Sequence, residues 1–281
     1  MKNFLTPPAP SSKRSGFTLI EVLVSSALTL VFMAMLFAVL IGAMNAWQAG
    51  TGRLQGNADA RMALDILSSD LQSMVARQTT YGQEWLVSDL IATPNDPAGR
   101  SATNLIFFAP SLDRDSGQQG DIVAINYRIG FFDPLAPNSN RADTLIFGLY
   151  KTMATTADTF TDALGLQDIR NGFWNSRNTL AREALLIPNV VDFKVSWIVE
   201  LPNGSTRLEP SGVILRNQLF TASHPTAVRI VSAELSLTIL TDEGAGRVQT
   251  LAAGNQLNPA RMNSVIEEFG RVYTKRVQIQ Y

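Results

Sequence analysis

The chain has no cysteine and a single histidine among its 281 residues. The lack of cysteine excludes a disulfide framework, a thiolate metal centre and a cysteine nucleophile. It fixes no compartment, because an exported protein can rest on core packing alone as a cytosolic one does. His224 sits in "SHP", ahead of Pro225 in a turn, and a lone loop histidine is far more often a surface residue than a catalyst or ligand. No G-x-S-x-G, Walker loop or H-E-x-x-H occurs. An excess of one charge is missing too. The formal net charge is −1, which implies no polyanionic or polycationic partner. No basic stripe with interleaved aromatics points to nucleic acid, and no internal repeat is evident. The stretch "LDRDSGQQGD" gathers Asp113, Asp115 and Asp121 in a loop. A calcium loop of the EF-hand kind starting at Asp113 requires Gly at 118 and Glu at 124, where this chain has Gln118 and Ala124. A solvated hairpin loop is the better reading. The sequence thus predicts no enzyme, no cofactor and no metal site.

What the chain does have is an asymmetric start. Residues 1–16 hold Lys2, Lys13 and Arg14 and no acid. Removing these three from the 23 basic residues leaves 20 against 24 acids, a net charge of −4 for the remainder. A short basic segment ahead of an apolar run is the positive-inside pattern, so residues 1–16 are expected in the cytoplasm and the bulk of the chain outside. The run itself, Phe17 to Ile41, contains one charge, Glu21. As a helix it is about 37 Å long, enough for a hydrocarbon core of about 30 Å. It is too long for a cleaved secretory signal, and Gly42-Ala43-Met44-Asn45-Ala46 matches a signal cleavage site only loosely. An acid inside such a run costs about 2.5–3.5 kcal/mol on insertion scales, so it calls for a partner or a job. Thr18, Glu21, Ser25 and Thr29 share one helical face, and Ala34, Ala38, Gly42 and Ala46 form a row of small residues at the same spacing. Small residues let another helix approach closely, so the segment reads as one that packs against other helices.

The stretch "KRSGFTLIEVL", residues 13–23, closely resembles the type III signal of type IV pilins and pseudopilins. The resemblance implies that a membrane-embedded prepilin peptidase cuts between Gly16 and Phe17, on the cytoplasmic side, and methylates the new amino terminus at Phe17. Lys13 and Arg14 are the basic end of the leader. Glu21 becomes the fifth mature residue, the position at which the family carries a glutamate. It further implies a fibre whose core is a bundle of these helices, in which Glu21 faces the amino group of a neighbour's Phe17. A buried carboxylate is costly alone and much less so when paired, so the charge would set register and favour assembly. The leader, with Pro7, Pro8 and Pro10, looks longer than many in the family.

Beyond the run, "NADARMALDILSSDLQSMVAR" places Leu64, Leu67, Leu71 and Met74 at steps of three and four, with Asp59, Arg61, Asp65 and Asp70 off that stripe. One long helix over about 17–78 is expected, weakened at Gly50 and Gly52. Strands are expected at 104–110, 121–129, 143–152, 190–200, 227–240 and 272–281. A short helix is expected at 264–270, with a capping box of Ser264 and Glu267 and Gly270 at its end. Residues 153–186 read as loop with a short helix near 179–186. Trp174 and Trp197 read as packing residues. Several strands without alternating long helices argue for an antiparallel sheet and an α+β head.

The organisation expected is a leader at 1–16, a transmembrane helix at 17–41, its amphipathic continuation at 42–78 and an extracytoplasmic β-rich head at 79–281. The head's size and its strand at the C-terminus look like the larger minor members of the family, the J-type pseudopilin and the W-type minor pilin. The expected role is a minor subunit of a type IV pilus or of a type II secretion pseudopilus. Its partners would be prepilin peptidase, other pilins or pseudopilins, an inner-membrane assembly platform and membrane lipid, and its place the bacterial inner membrane and then the fibre. The rival is a membrane-anchored extracytoplasmic binding module that never polymerises.

Overall fold

The computed structural model describes residues 16, 18–75, 85–111, 121–136, 144–164, 169, 174, 184–201, 203–210, 215–216, 219–220 and 229–279. The chain divides into two units, residues 1–51 and 52–281. Helix α1, Leu19–Gln72, contributes to both.

In the first unit, Leu19–Trp47 is a helix long and apolar enough to cross a membrane, and none of its most apolar stretch is buried by the rest of the chain. Leu, Val, Ile, Met and Phe stand exposed on every side of it. A helix apolar all round is one that another apolar medium must cover.

In the second unit, the stripe read from the sequence faces the core. Leu64, Leu67, Leu71 and Met74 are buried, together with Ala60 and Ala63. Helix α1 ends at Gln72 rather than near 78. Strand bonding stops it there: the Val75 amide donates to the Phe108 carbonyl at 2.8 Å, so by that residue the backbone has turned to bond a strand.

Among the described residues that follow, the strands form two antiparallel sheets. The larger runs β5-β4-β3-β2-β1-β8-β9, with β1 at Leu86–Ala92, β2 at Ser101–Pro110, β3 at Ile122–Phe132, β4 at Ile146–Met153, β5 at Leu185–Pro188, β8 at Leu215–Arg216 and β9 at Leu219–Phe220. The smaller runs β11-β10-β6-β7, with β6 at Val190–Glu200, β7 at Thr206–Glu209, β10 at Arg229–Leu240 and β11 at Gly270–Gln278. Strand β6 shows the period-two logic plainly: Phe193, Val195, Trp197 and Val199 are buried while Lys194 is exposed. These four join Leu67 and Leu71 of α1 and Leu105, Phe107, Tyr127 and Leu149 of the larger sheet in one core. The larger sheet is buried on its other face as well, where Val87, Ile106, Phe108 and Ala124 pack with Trp85 and Trp174. Its two central strands are accordingly buried at nearly every position. That second face also carries polar side chains: Asp89 stands opposite Asn104, and Arg128 opposite Tyr150, all four buried. Burial draws the Arg128 guanidinium down to about 10 and pushes the Tyr150 phenol up to about 12. The sheets are pinned together by Arg100, which pairs with Asp96 at 2.9 Å, donates to the Val191 carbonyl at 3.0 Å and lies over the Phe147 ring.

Several expectations are corrected. The helix near the C-terminus, α4, spans Pro259–Phe269. Its N-cap is Asn258, whose side chain accepts from the Arg261 amide at 2.9 Å, with Pro259 in the first turn. Ser264 and Glu267 lie inside the helix and form no capping box. Gly270 does end it, its amide donating to the Ile266 carbonyl, in an extended conformation that opens β11. A further helix, α3, Asp242–Ala253, is capped by Thr241. A Cβ on Gly244 would stand 2.5 Å from the Cβ of Phe269, so glycine is what lets α3 approach α4. Near 179–186, residues 179–183 lie outside the described set, and Leu185 and Leu186 belong to β5, paired with β4. Between β4 and β5, a short α2 at Thr156–Asp158 runs into a π-helical turn at Thr159–Leu164.

Candidate assembly site

The start of α1 is built by its own side chains. The Thr18 amide and the Thr18 hydroxyl both donate to Glu21 Oε2, at 3.0 and 2.9 Å, and the Glu21 amide donates back to Thr18 Oγ1 at 3.4 Å. This is a capping box, Thr18-x-x-Glu21, which satisfies helix N–H groups that have no partner within the helix. The carboxylate also lies where the helix dipole favours negative charge. The sequence spacing places Thr18 and Glu21 on one face; their reciprocal capping is what the structure adds.

The polar row behind Glu21 is satisfied in the same local way. Ser25 Oγ donates to the Glu21 carbonyl at 2.6 Å, Ser26 Oγ to the Leu23 carbonyl at 2.9 Å, and Thr29 Oγ1 to the Ser25 carbonyl at 2.7 Å. Back-bonding of this kind is how hydroxyls tolerate an apolar helix. These side chains therefore make no demand on a second helix. The row Ala34, Ala38, Gly42 and Ala46 is exposed along the same helix.

In the second unit, α1 is held by polar pins at its sides as well as by its stripe. Asp70 accepts a hydrogen bond from the Tyr127 phenol and pairs with Lys151 at 2.7 Å, and Lys151 sits over the Tyr127 ring. Burial first, and the Asp70 carboxylate second, push the Tyr127 phenol well above the ordinary phenol range. Asp65 pairs with Lys275 at 2.6 Å, and Asn57 accepts from the Tyr273 phenol. Asp70 thus binds α1 to the larger sheet, and Asp65 and Asn57 bind it to the smaller. Among the residues that carry this anchoring, the sequence singles out the acids only as charges lying off the stripe.

Of the residues predicted for processing, Gly16 is exposed, while Lys13, Arg14 and Phe17 lie outside the described residues. His224 and the acids Asp113 and Asp115 lie outside them too; Asp121 is exposed, and its carbonyl accepts from the Ser111 amide at 2.7 Å. Among the described residues no group of three or more His, Cys, Asp or Glu could hold a metal ion. Trp174 and Trp197 are buried in the two cores.

Comparison with known proteins gives one sequence match and one structural likeness. Residues 11–44 match the family described as the prokaryotic N-terminal methylation motif. No curated protein matches the chain. Among solved structures, a type IV-like pilin from Thermus thermophilus is similar at 14% identity and a TM-score of 0.31, over 79% of this chain and 95% of that one. The exposed apolar helix behind the match fits a membrane anchor. The chain therefore carries the prokaryotic N-terminal methylation motif at residues 11–44.

Proposed function

We propose that the chain is a minor pilin or pseudopilin, made as a prepilin, cut between Gly16 and Phe17, methylated at Phe17, and built into a type IV pilus or a type II secretion pseudopilus. The observation that carries this reading is the motif itself: Gly16, Phe17 and Glu21 stand at the required spacing, at the start of a helix with no cover of its own. In this reading residues 1–16 are the cytoplasmic leader, 17–41 cross the inner membrane, 42–72 carry the helix into the head, and 79–281 form the rest of the head on the far side. The head's size argues for the larger minor subunits, of the J or W type. The partners are prepilin peptidase, neighbouring pilins, the inner-membrane assembly platform and lipid.

Assembly would follow from electrostatics at the helix start. Thr18 supplies two donors to Glu21 but leaves its charge uncompensated. The methylated amine of a neighbour's Phe17 would neutralise it in a medium of low dielectric, where an unpaired charge is costly. Mass spectrometry of the protein from its natural source should find methylated Phe17 as the first residue; an intact Met1 start removes the proposal. Glu21→Leu should leave membrane insertion unchanged and impair incorporation into the fibre. Normal co-purification of that variant with the fibre would favour the second reading, a membrane-anchored extracytoplasmic module that does not polymerise. One observation speaks for that second reading: the capping box already gives Glu21 hydrogen-bond partners in a solitary chain.

A further inference from the structure

The second unit carries a groove of about 460 Å³. Its walls are Gly56 and Asp59 of α1, Thr241 and Asp242 at the start of α3, and Arg271 and Tyr273 of β11. Ile239 and Leu240 form an apolar floor, both more than nine-tenths buried. Among the described residues the carboxylates of Asp59 and Asp242 make no hydrogen bond or ion pair, while Arg271 donates to the neighbouring Gly270 carbonyl at 3.2 Å. Among the described residues the lining therefore has two carboxylates, with Asp242 exposed and Asp59 half-buried, against one guanidinium.

Gly56 lines the same groove. A glycine inside a helix costs about 0.8–1.0 kcal/mol relative to alanine. Nothing lies within 4 Å of where a Cβ at Gly56 would stand. Among the described residues no close approach requires a glycine there, as none does at Gly42, Gly50 and Gly246, unlike Gly244 against Phe269. Gly56 therefore leaves its part of the groove's rim on α1 without a side chain.

We propose that this groove receives a lysine or arginine side chain from a neighbouring subunit of the fibre. The surplus carboxylate selects a cation. The apolar floor and the Tyr273 ring take the aliphatic stem that such side chains lay along apolar surface. Gly56 leaves room for the partner's backbone to come close. The inference rests on the assembly reading above.

The test uses the full chain in cells that make the fibre. Two variants are compared with the parent: Gly56→Leu, which fills the groove, and Asp59→Asn with Asp242→Asn, which removes its charge while keeping its shape. Three quantities are read: the state of the Phe17 terminus, thermal melting of the detergent-solubilised protein, and the fraction of subunit recovered in sheared fibres. Both variants should be processed at Phe17 like the parent and melt no lower than it. Both should show incorporation reduced by at least about tenfold, as expected when a specific charged contact is lost. Parent-level incorporation of both variants overturns the groove proposal and leaves the assembly reading standing. Impairment by Gly56→Leu alone overturns the choice of a cation as occupant. Absence of the parent chain itself from fibres overturns the assembly reading and this proposal together.

Discussion

Two stretches of α1 solve opposite problems with the same backbone. From Leu19 to Trp47 the helix is apolar on every side, exposed on every side, and has its hydroxyls bonded to its own carbonyls. From Gly56 to Gln72 it is apolar along one stripe, and that stripe is buried while Asp65 and Asp70 reach sideways to lysines of the two sheets. The difference teaches where each stretch gets its stability. The second is completed by its own chain; the first depends on something outside it.

Substitutions sharpen that contrast. The largest effect is expected from Leu71→Ala, which removes a fully buried side chain from the shared core. Head stability should fall by about 2–5 kcal/mol in a denaturant titration. The same change at exposed Leu36 should leave the head's transition where it was. If Leu71→Ala is equally silent, the stripe does not anchor the helix.

A smaller effect is expected from Asp70→Ala, which strips the Tyr127 phenol and Lys151 of a shared partner. The expected cost is about 1–3 kcal/mol, the penalty for leaving a buried polar group unsatisfied. Lys275→Ala, which breaks a more exposed pair with Asp65, should cost no more than about 1 kcal/mol. Reversal of that ranking in melting experiments would mean that the smaller sheet, not the larger, holds α1.

The last effect is absent at neutral pH. Tyr127 and Tyr150 both have folded-state values raised above the unfolded phenol, near 10. A raised value means that the stability they contribute is fully present below about pH 10 and is lost as the pH climbs past it. Melting between pH 8 and 11 should show a decline that is shallower in the Tyr127→Phe, Tyr150→Phe double variant. Arg128, drawn down to about 10, acts in the opposite sense, and the double variant separates the phenols from it.

The legible parts of this fold are those written as periodicity. The stripe of Leu64, Leu67 and Leu71 and the alternation Phe193, Val195, Trp197, Val199 each repeat at the spacing of their element, and burial obeys the repeat. The illegible parts are set by contacts between distant residues. Gly244 and Gly246 lower the helix propensity of α3, and only the approach of Phe269 to Gly244 explains why a glycine belongs there. The Asn-Pro pair at 258–259 is a readable start signal for α4, but the box-like spacing of Ser264 and Glu267 competes with it and points to a later start. Strand β5 is a run of three apolar residues before Pro188, too short for its period to distinguish strand from helix. At the candidate site, Gly16, Phe17 and Glu21 are singled out as a set by family resemblance alone. The bond between Glu21 and Thr18 needs only the Thr-x-x-Glu spacing, which is present but overshadowed by the acid's apolar surroundings.

The inward-turned hydroxyls of Ser25, Ser26 and Thr29 have one more consequence. A molecule drawing alongside that cylinder meets hydrocarbon at almost every azimuth, so rotation about the long axis and slippage along it would meet little resistance over most of the contact. Discrimination would then be concentrated at one tip, where a single acid sits, and any misalignment would be detected there first.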